Sequence, residues 1–173
     1  MSSHEVHEHI EHAHEQGHAR IGVSMAVMAV LLAVATMLGH RMHTEEVLMQ
    51  TKANDQWSFF QAKNIRSHMY DADADLAGLA GESGAKLALS FKERGEAQKK
   101  EAEEIKRSAE ELEVEAHHAA QWADHFDMSE IFFEIAIVLC SISLLVGSSL
   151  FLRGAYVSTV VGLGIALHVL LLR

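Results

Sequence analysis

The sequence predicts an all-α membrane protein: three transmembrane helices, with a long antiparallel helical hairpin forming a coiled-coil-like stalk between the first and second spans. Three observations carry this prediction. Charge is sorted unevenly, because the apolar stretches 21–38, 131–152 and 155–172 together hold one charged residue, Glu134, although the 173-residue chain has 24 Asp or Glu and 14 Lys or Arg. Each stretch is long enough to cross a hydrocarbon core of about 30 Å as a helix. Proline is absent throughout, so the residue that most often breaks or kinks a helix never interrupts the passage from apolar to polar segments.

Residues 1–20 form a polar tail rich in His and Glu. No basic segment precedes 21–38 and no small-residue cleavage pattern accompanies it, so it reads as a retained transmembrane helix rather than a signal peptide. Gly39 is the one weak point before the soluble segment 39–130. That segment divides at a turn near 78–84, where Gly78, Gly81, Ser83 and Gly84 cluster. Its first arm is loosely amphipathic, with Val47, Thr51, Asn54, Ser58, Gln61, Ile65 and His68 on one seam and Trp57, Phe59, Phe60 and Met69 beside it.

The second arm runs from Ala85 to about Ser129 and is more regular. Phe91, Gly95, Gln98, Ala102, Ile105, Ala109, Leu112, Ala116, Ala119, Ala123 and Phe126 alternate steps of four and three. This is a heptad seam whose alanines permit close helix approach. Lys and Glu fill the remaining positions, as on a solvated surface. Arms of about 40 residues would reach about 60 Å. Two helices alone give Trp57, Phe60 and Trp122 little cover, so copies of the chain are expected to pack side by side as a homo-oligomer. The plainer alternative is a single hairpin whose arms pair only with each other.

The closing stretches, 131–152 and 155–172, are separated by Arg153 and Gly154, where a tight turn is expected. Ser143 with Gly147 and Ser158 with Gly162 supply the small-residue spacing that lets helix backbones approach in lipid. Phe132, Phe133 and Tyr156 match an interfacial aromatic belt. Arg20 and Arg153 fall on one side, against Arg41, Lys52 and Arg173 on the other, so basic-residue counting does not decide orientation.

The net charge of −10 argues against a nucleic-acid partner, which would need a basic footprint. A lone cysteine, Cys140, excludes a disulfide scaffold. No nucleophile with a partnered base and no cofactor fingerprint is present, so the chain is expected not to be an enzyme and to require no cofactor.

The tail is the segment with the most chemical character. Written as a helix, His4, His7, Glu11, His14 and His18 fall on one stripe, a donor set suited to zinc or nickel. The alternative is a solvated tail whose imidazoles titrate near pH about 6.5. Asp71, Asp73, Asp75 and Glu82 follow four positions of a calcium loop, but Leu76 stands where that loop needs glycine. Glu134 and His168 are the residues costliest to place in a membrane. With His40, His43, His125, Asp127 and Glu130 they are expected near one interface, a candidate proton or ion path, unless Glu134 and His168 simply snorkel to water.

The stretch Lys52 to Arg66, with Asn54-Asp55-Gln56-Trp57 followed by Gln61-Ala62-Lys63, resembles the domain-of-unknown-function family numbered 4337. The resemblance extends over nearly the whole chain through the His/Glu start, the early span, the Lys/Glu-rich helix and the closing two-span segment. It implies a bacterial membrane protein and brings no activity, substrate or catalytic residue. Prompted partly by it, the expected setting is a bacterial inner membrane, amino terminus cytoplasmic and stalk periplasmic. Asn54, Asp55, Trp57 and Gln61 share about one helical face and suit an inter-helix contact, together with Trp122 and Phe126 of the second arm.

The expected function is therefore non-enzymatic: a multi-pass protein in the lipid bilayer that assembles through its stalk and spans as a scaffold or pore-like homo-oligomer. The alternative is metal-ion or proton binding and transport through the histidine tail and the Glu134/His168 interface.

Overall fold

The computed structural model describes the backbone of residues 3–172 and the side chains of 19–171. Among the described residues the elements are three helices, α1 (Ser3–Gly78), α2 (Glu82–Val146) and α3 (Ser149–Leu172). Each contains a stretch long and apolar enough to cross a membrane. With no proline to remove a backbone donor, α1 continues through Gly39 and into the polar half of the chain. Asp71, Asp73 and Asp75 lie within α1, so the calcium-loop spacing does not become a loop.

The first turn is tighter than the glycine cluster implies. Gly78 still belongs to α1, and only Leu79 to Gly81 leave the helical path, their N–H groups donating to the carbonyls of Leu76, Ala77 and Gly78 at 3.1–3.3 Å. Gly81 takes φ +66°, a conformation that favours glycine.

The second turn corrects the expectation from sequence. Arg153 and Gly154 lie inside α3, and the break comes six residues earlier, at Gly147 and Ser148. Gly147 adopts φ +70° and donates its N–H to the Ser143 carbonyl at 2.9 Å. The Ser143 hydroxyl donates to the Ser148 carbonyl at 3.0 Å, and Ser148 Oγ accepts from the Leu150 N–H at 3.4 Å, acting as a cap for α3. An arginine beside a glycine marks polarity, but it supplies none of these caps. The apolar segments accordingly become 131–146 on α2 and 149–172 on α3, with Arg153 in the second turn of the latter.

The chain forms two compact units, one joining the chain through His43 with the chain from Ala120 onward, the other spanning Thr44–Ala119. In Thr44–Ala119 the α2 seam read from the sequence is inward: Gly95, Ala102, Ala109, Ala116 and Ala119 are buried, and Phe91, Gln98, Ile105 and Leu112 are half-buried. The α1 face that packs is different from the one expected. Val47, Thr51, Asn54, Ser58, Gln61, Ile65 and His68 are all exposed, whereas Ala53, Ser67 and Ala74 are buried on the opposite side. Contacts between α1 and α2 pair Trp57 with Glu113, Lys63 with Glu101, Ser67 with Gly95 and Tyr70 with Phe91. The Ser67 hydroxyl donates to the Gly95 carbonyl at 3.0 Å, and a Cβ at Gly95 would lie only 3.1 Å from Asp71 Oδ1, so this crossing needs a residue without a side chain.

The other unit brings α1, α2 and α3 together around two small clusters. Met28, Ala136, Cys140 and Ala155 form one, and Met42, Ala123, Phe126, Ala166 and Val169 the other, with Leu38 and Trp122 packed against it. Phe133 is buried in this unit rather than standing at an aromatic belt. The Ser129 hydroxyl donates to the Gly162 carbonyl at 2.8 Å, and the Ser158 hydroxyl to the Phe132 carbonyl at 2.6 Å. Ser158 and Gly162 therefore serve the close approach their spacing implied, while Ser143 and Gly147 shape the turn instead.

Large apolar side chains point the other way. Val23, Val27, Val30 and Val34 of α1 and Leu150, Val157, Val160 and Leu171 of α3 are exposed. Of the apolar stretches, 11% is buried for α1 and 28% for α2 and for α3.

A substitution pair tests the α2–α3 crossing. A Cβ at Gly162 would meet the Ser129 carbonyl and Phe132 Cβ at 3.1 Å, whereas one at Gly164 would meet nothing within 4 Å. Gly162→Val is expected to destabilise by about 1–3 kcal/mol, the usual range for overpacking. Gly164→Val should leave the thermal midpoint in detergent unchanged, and circular dichroism melts of the two variants make the comparison.

Candidate functional site

The residues best placed for chemistry lie where the apolar part of α1 ends and that of α2 begins. On α1, Ala35 and Met42 are buried, so Thr36 and His43, each one residue later, flank the packed face on the same side, two turns apart. On α2, Phe126 and Ser129 are buried, and Asp127 and Glu130 follow them in the same way. Two flanking rows thus face each other. The Thr36 hydroxyl lies 2.9 Å from Glu130 Oε1 and 3.0 Å from the Leu32 carbonyl, and its single proton can serve either oxygen. His43 Nε2 lies 3.1 Å from Asp127 Oδ2.

Between these contacts Gly39 sets the helix separation. A Cβ there would come within 3.2 Å of Asp127 Oδ1 and 3.3 Å of Phe126 Cβ. Any larger residue would crowd the aspartate at its position beside His43. His43 and Asp127 keep 45% and 50% of their side-chain surface exposed, so their pairing is worth little as a stabilising ion pair. Its value lies in fixing an imidazole and a carboxylate at a boundary, where they can hold or pass a proton or attract a cation.

The expected gathering of ionisable groups is realised in part. His43 meets Asp127, and Glu130 is held by Thr36, a residue the sequence reading missed. Its spacing is the signal that could have found it, since Thr36, Gly39 and His43 recur at three and four residues across the end of an apolar run. The Nδ1 of His125 donates to its own helix, to the Gln121 carbonyl at 2.6 Å. Glu134 and His168 are exposed and sit at different levels, because Phe132 meets Ser158 whereas Ala123 and Phe126 cluster with Ala166 and Val169. Among the described residues no group of three or more His, Cys, Asp or Glu is arranged to hold a metal ion. The tail donors His4, His7, Glu11, His14 and His18 lie outside the described side chains.

Of the residues expected at inter-helix contacts, Phe126 is buried and Trp122 packs against its cluster. Trp57 is half-buried, donating Nε1–H to Glu113 at 2.8 Å and meeting Phe60 edge-on at 5.5 Å. Asn54, Asp55 and Gln61 are exposed.

The Thr36–Glu130 contact yields a measurable coupling. Thr36→Val should cost about 1.5–3 kcal/mol, the range for a hydrogen bond to a charged group. In a Glu130→Leu background the same change should cost much less. A double-mutant cycle by detergent unfolding reads the difference, and equal costs in both backgrounds would show that the pair is not coupled.

The family of the domain of unknown function DUF4337 matches residues 17–172, and the chain belongs to that family. No curated protein and no solved structure matches it. The matched region begins after His4, His7, Glu11 and His14.

Proposed function

We propose that this DUF4337 member is a non-enzymatic integral membrane protein whose three spans carry an antiparallel helical stalk, and whose copies assemble into a homo-oligomer serving as a scaffold or enclosing a passage. The observation that carries this reading is the inverted sorting of side chains: Ala, Ser and Gly supply most of the buried positions, while many Val and Leu of the apolar segments face outward. In water that arrangement would leave large contiguous apolar surfaces uncovered. Lipid and neighbouring copies are the surroundings in which it is stable, and small residues at helix contacts are what membrane packing favours.

The order of the contacts Trp57–Glu113, Lys63–Glu101, Ser67–Gly95 and Tyr70–Phe91 supports the antiparallel stalk, since one number falls as the other rises. Ser24 Oγ lies 2.8 Å from the Tyr156 hydroxyl, which supports a shared side for Arg20 and Arg153, each about one turn nearer the same end. The basic residues on the two sides do not decide orientation, and the proposed setting, amino terminus on the cytoplasmic side of a bacterial inner membrane and stalk in the periplasm, rests on the family resemblance.

Mass measurement of the full chain in mild detergent tests assembly. A multiple of the chain mass is expected, and a single-chain mass would remove the homo-oligomer.

A second reading, proton or cation handling, is favoured by one observation: Glu130 is held by a hydroxyl at the head of an apolar segment. Ionisable groups at such positions commonly serve ion or proton pathways. Proteoliposomes holding the wild-type chain should then show a proton or cation flux that Glu130→Gln abolishes; identical fluxes in the two preparations would discard this reading.

A further inference from the structure

We infer that the outer face of α1 between Val47 and Leu76 is the contact through which copies of this chain meet, in parallel and at the same level. This rests on the proposed homo-oligomer and specifies its surface.

At 100° per residue, Val47, Asn54, Ser58, Gln61, Ile65 and Leu76 fall along one line of the helix, opposite the packed face of Ala53, Ser67 and Ala74. All six are exposed. Seven Lys, Arg, Asp or Glu residues occur between Val47 and Leu76, yet each stands roughly 80° or more from that line. A helix face turned to water ordinarily collects charge, as the outer positions of α2 do at Lys99, Lys100, Glu103 and Glu104. The α1 face collects none.

Its polar groups are also partly withdrawn. The Thr51 hydroxyl donates to the Val47 carbonyl at 2.7 Å and the Ser58 hydroxyl to the Asn54 carbonyl at 2.9 Å, so both are satisfied within the helix. Ile65 stays 60% exposed and Val47 64%. What remains unpaired are the amides of Asn54 and Gln61, which carry both donors and acceptors and can bond to an identical residue.

The occupant follows from charge and topology. Copies inserted in one bilayer with one orientation are related by an axis along the membrane normal, so equivalent residues stand at equal heights. Any Lys, Arg, Asp or Glu on the contact would face its own like charge, which is destabilising. The one α1 face free of them, bearing self-complementary amides, suits a second copy. An amide at a buried seam position is also a known way to fix register in parallel helix assemblies.

The experiment uses the full chain with Cys140→Ala and single cysteines introduced as Asn54→Cys and Ile65→Cys, with Lys52→Cys and Arg66→Cys as off-face controls, oxidised in membranes. Disulfide-linked dimers are expected to dominate for the first two and be absent from the controls. Separately, Asn54→Lys combined with Gln61→Lys should lower the detergent mass to one chain while leaving helical circular dichroism unchanged. An oligomer that forms no dimer at Asn54→Cys or Ile65→Cys, or that survives the double lysine variant, overturns this inference and leaves the homo-oligomer standing. A wild-type chain of single mass with no cross-link anywhere removes both. A cross-linked product of Ile65→Cys that lacks a second copy by mass spectrometry assigns the face to another protein and overturns the inference too.

Discussion

Helix contact through residues too small to hold helices apart is the constraint on which the structure depends. Along α2, buried or half-buried positions recur from Phe91 to Ser143 at steps of three and four, and the fully buried members are Gly95, five alanines up to Ala123, Phe126, Ser129, Phe133, Ala136, Cys140 and Ser143. An alanine seam buries little apolar area, so each contact contributes less than a leucine seam would. Its compensation is proximity: backbone carbonyls come within reach of serine hydroxyls on the neighbouring helix, as at Ser67–Gly95, Ser129–Gly162 and Ser158–Phe132. Within the apolar segments of the proposed spans such bonds would have no competitor, and an unmade one would be costly.

The boundary site is a by-product of the same rule. Asp127 and Glu130 reach Thr36 and His43 because each follows a buried neighbour and because Gly39 places no side chain between the helices. Thr36 stands inside the apolar run of α1, whereas Glu130 immediately precedes that of α2. Pairing a hydroxyl from the apolar side with a carboxylate from the polar side lets the acid sit at the edge of the apolar zone with one oxygen already solvated by protein. That is a physical basis for keeping an ionisable group there, and it separates this site from Glu134 and His168, which point outward with no such support.

The sequence disclosed these features unequally, and the reasons are physical. The α2 seam was legible because its alanines recur against a background of Lys and Glu, so contrast does not depend on residue size. On α1 within Thr44–Ala119 the fully buried residues are Ala53, Ser67 and Ala74, which resemble surface residues in isolation, while Val47 and Ile65 draw attention to the opposite side. Hydrophobicity ranks residues by transfer from water, and a close-packed helix pair selects them by size. The second turn was misread for a related reason: Arg153 is conspicuous, but a turn is made by a residue that tolerates positive φ and by hydroxyls that cap the ends, here Gly147, Ser143 and Ser148. Thr36 escaped notice because a single hydroxyl in an apolar run is usually satisfied by its own helix, as Thr159 is by the Ala155 carbonyl.

If the inner faces follow one rule throughout, the outer faces are what record the surroundings. On α2 the outer positions are charged through the first part and become Ile131, Ile135 and Val138 further on, although the seam beneath them keeps its spacing through Phe133, Ala136, Cys140 and Ser143. In the proposed membrane placement, a change of solvent from water to hydrocarbon accounts for that replacement without any change in the spacing of the seam. The outer face of α1 in Thr44–Ala119 differs from both: along the line from Val47 to Leu76 it carries amides and hydroxyls beside isolated Val and Ile, with its charges set to either side. That mixture is what the proposed contact with a second copy would use, because a protein surface can return hydrogen bonds at fixed positions while covering the apolar carbon between them.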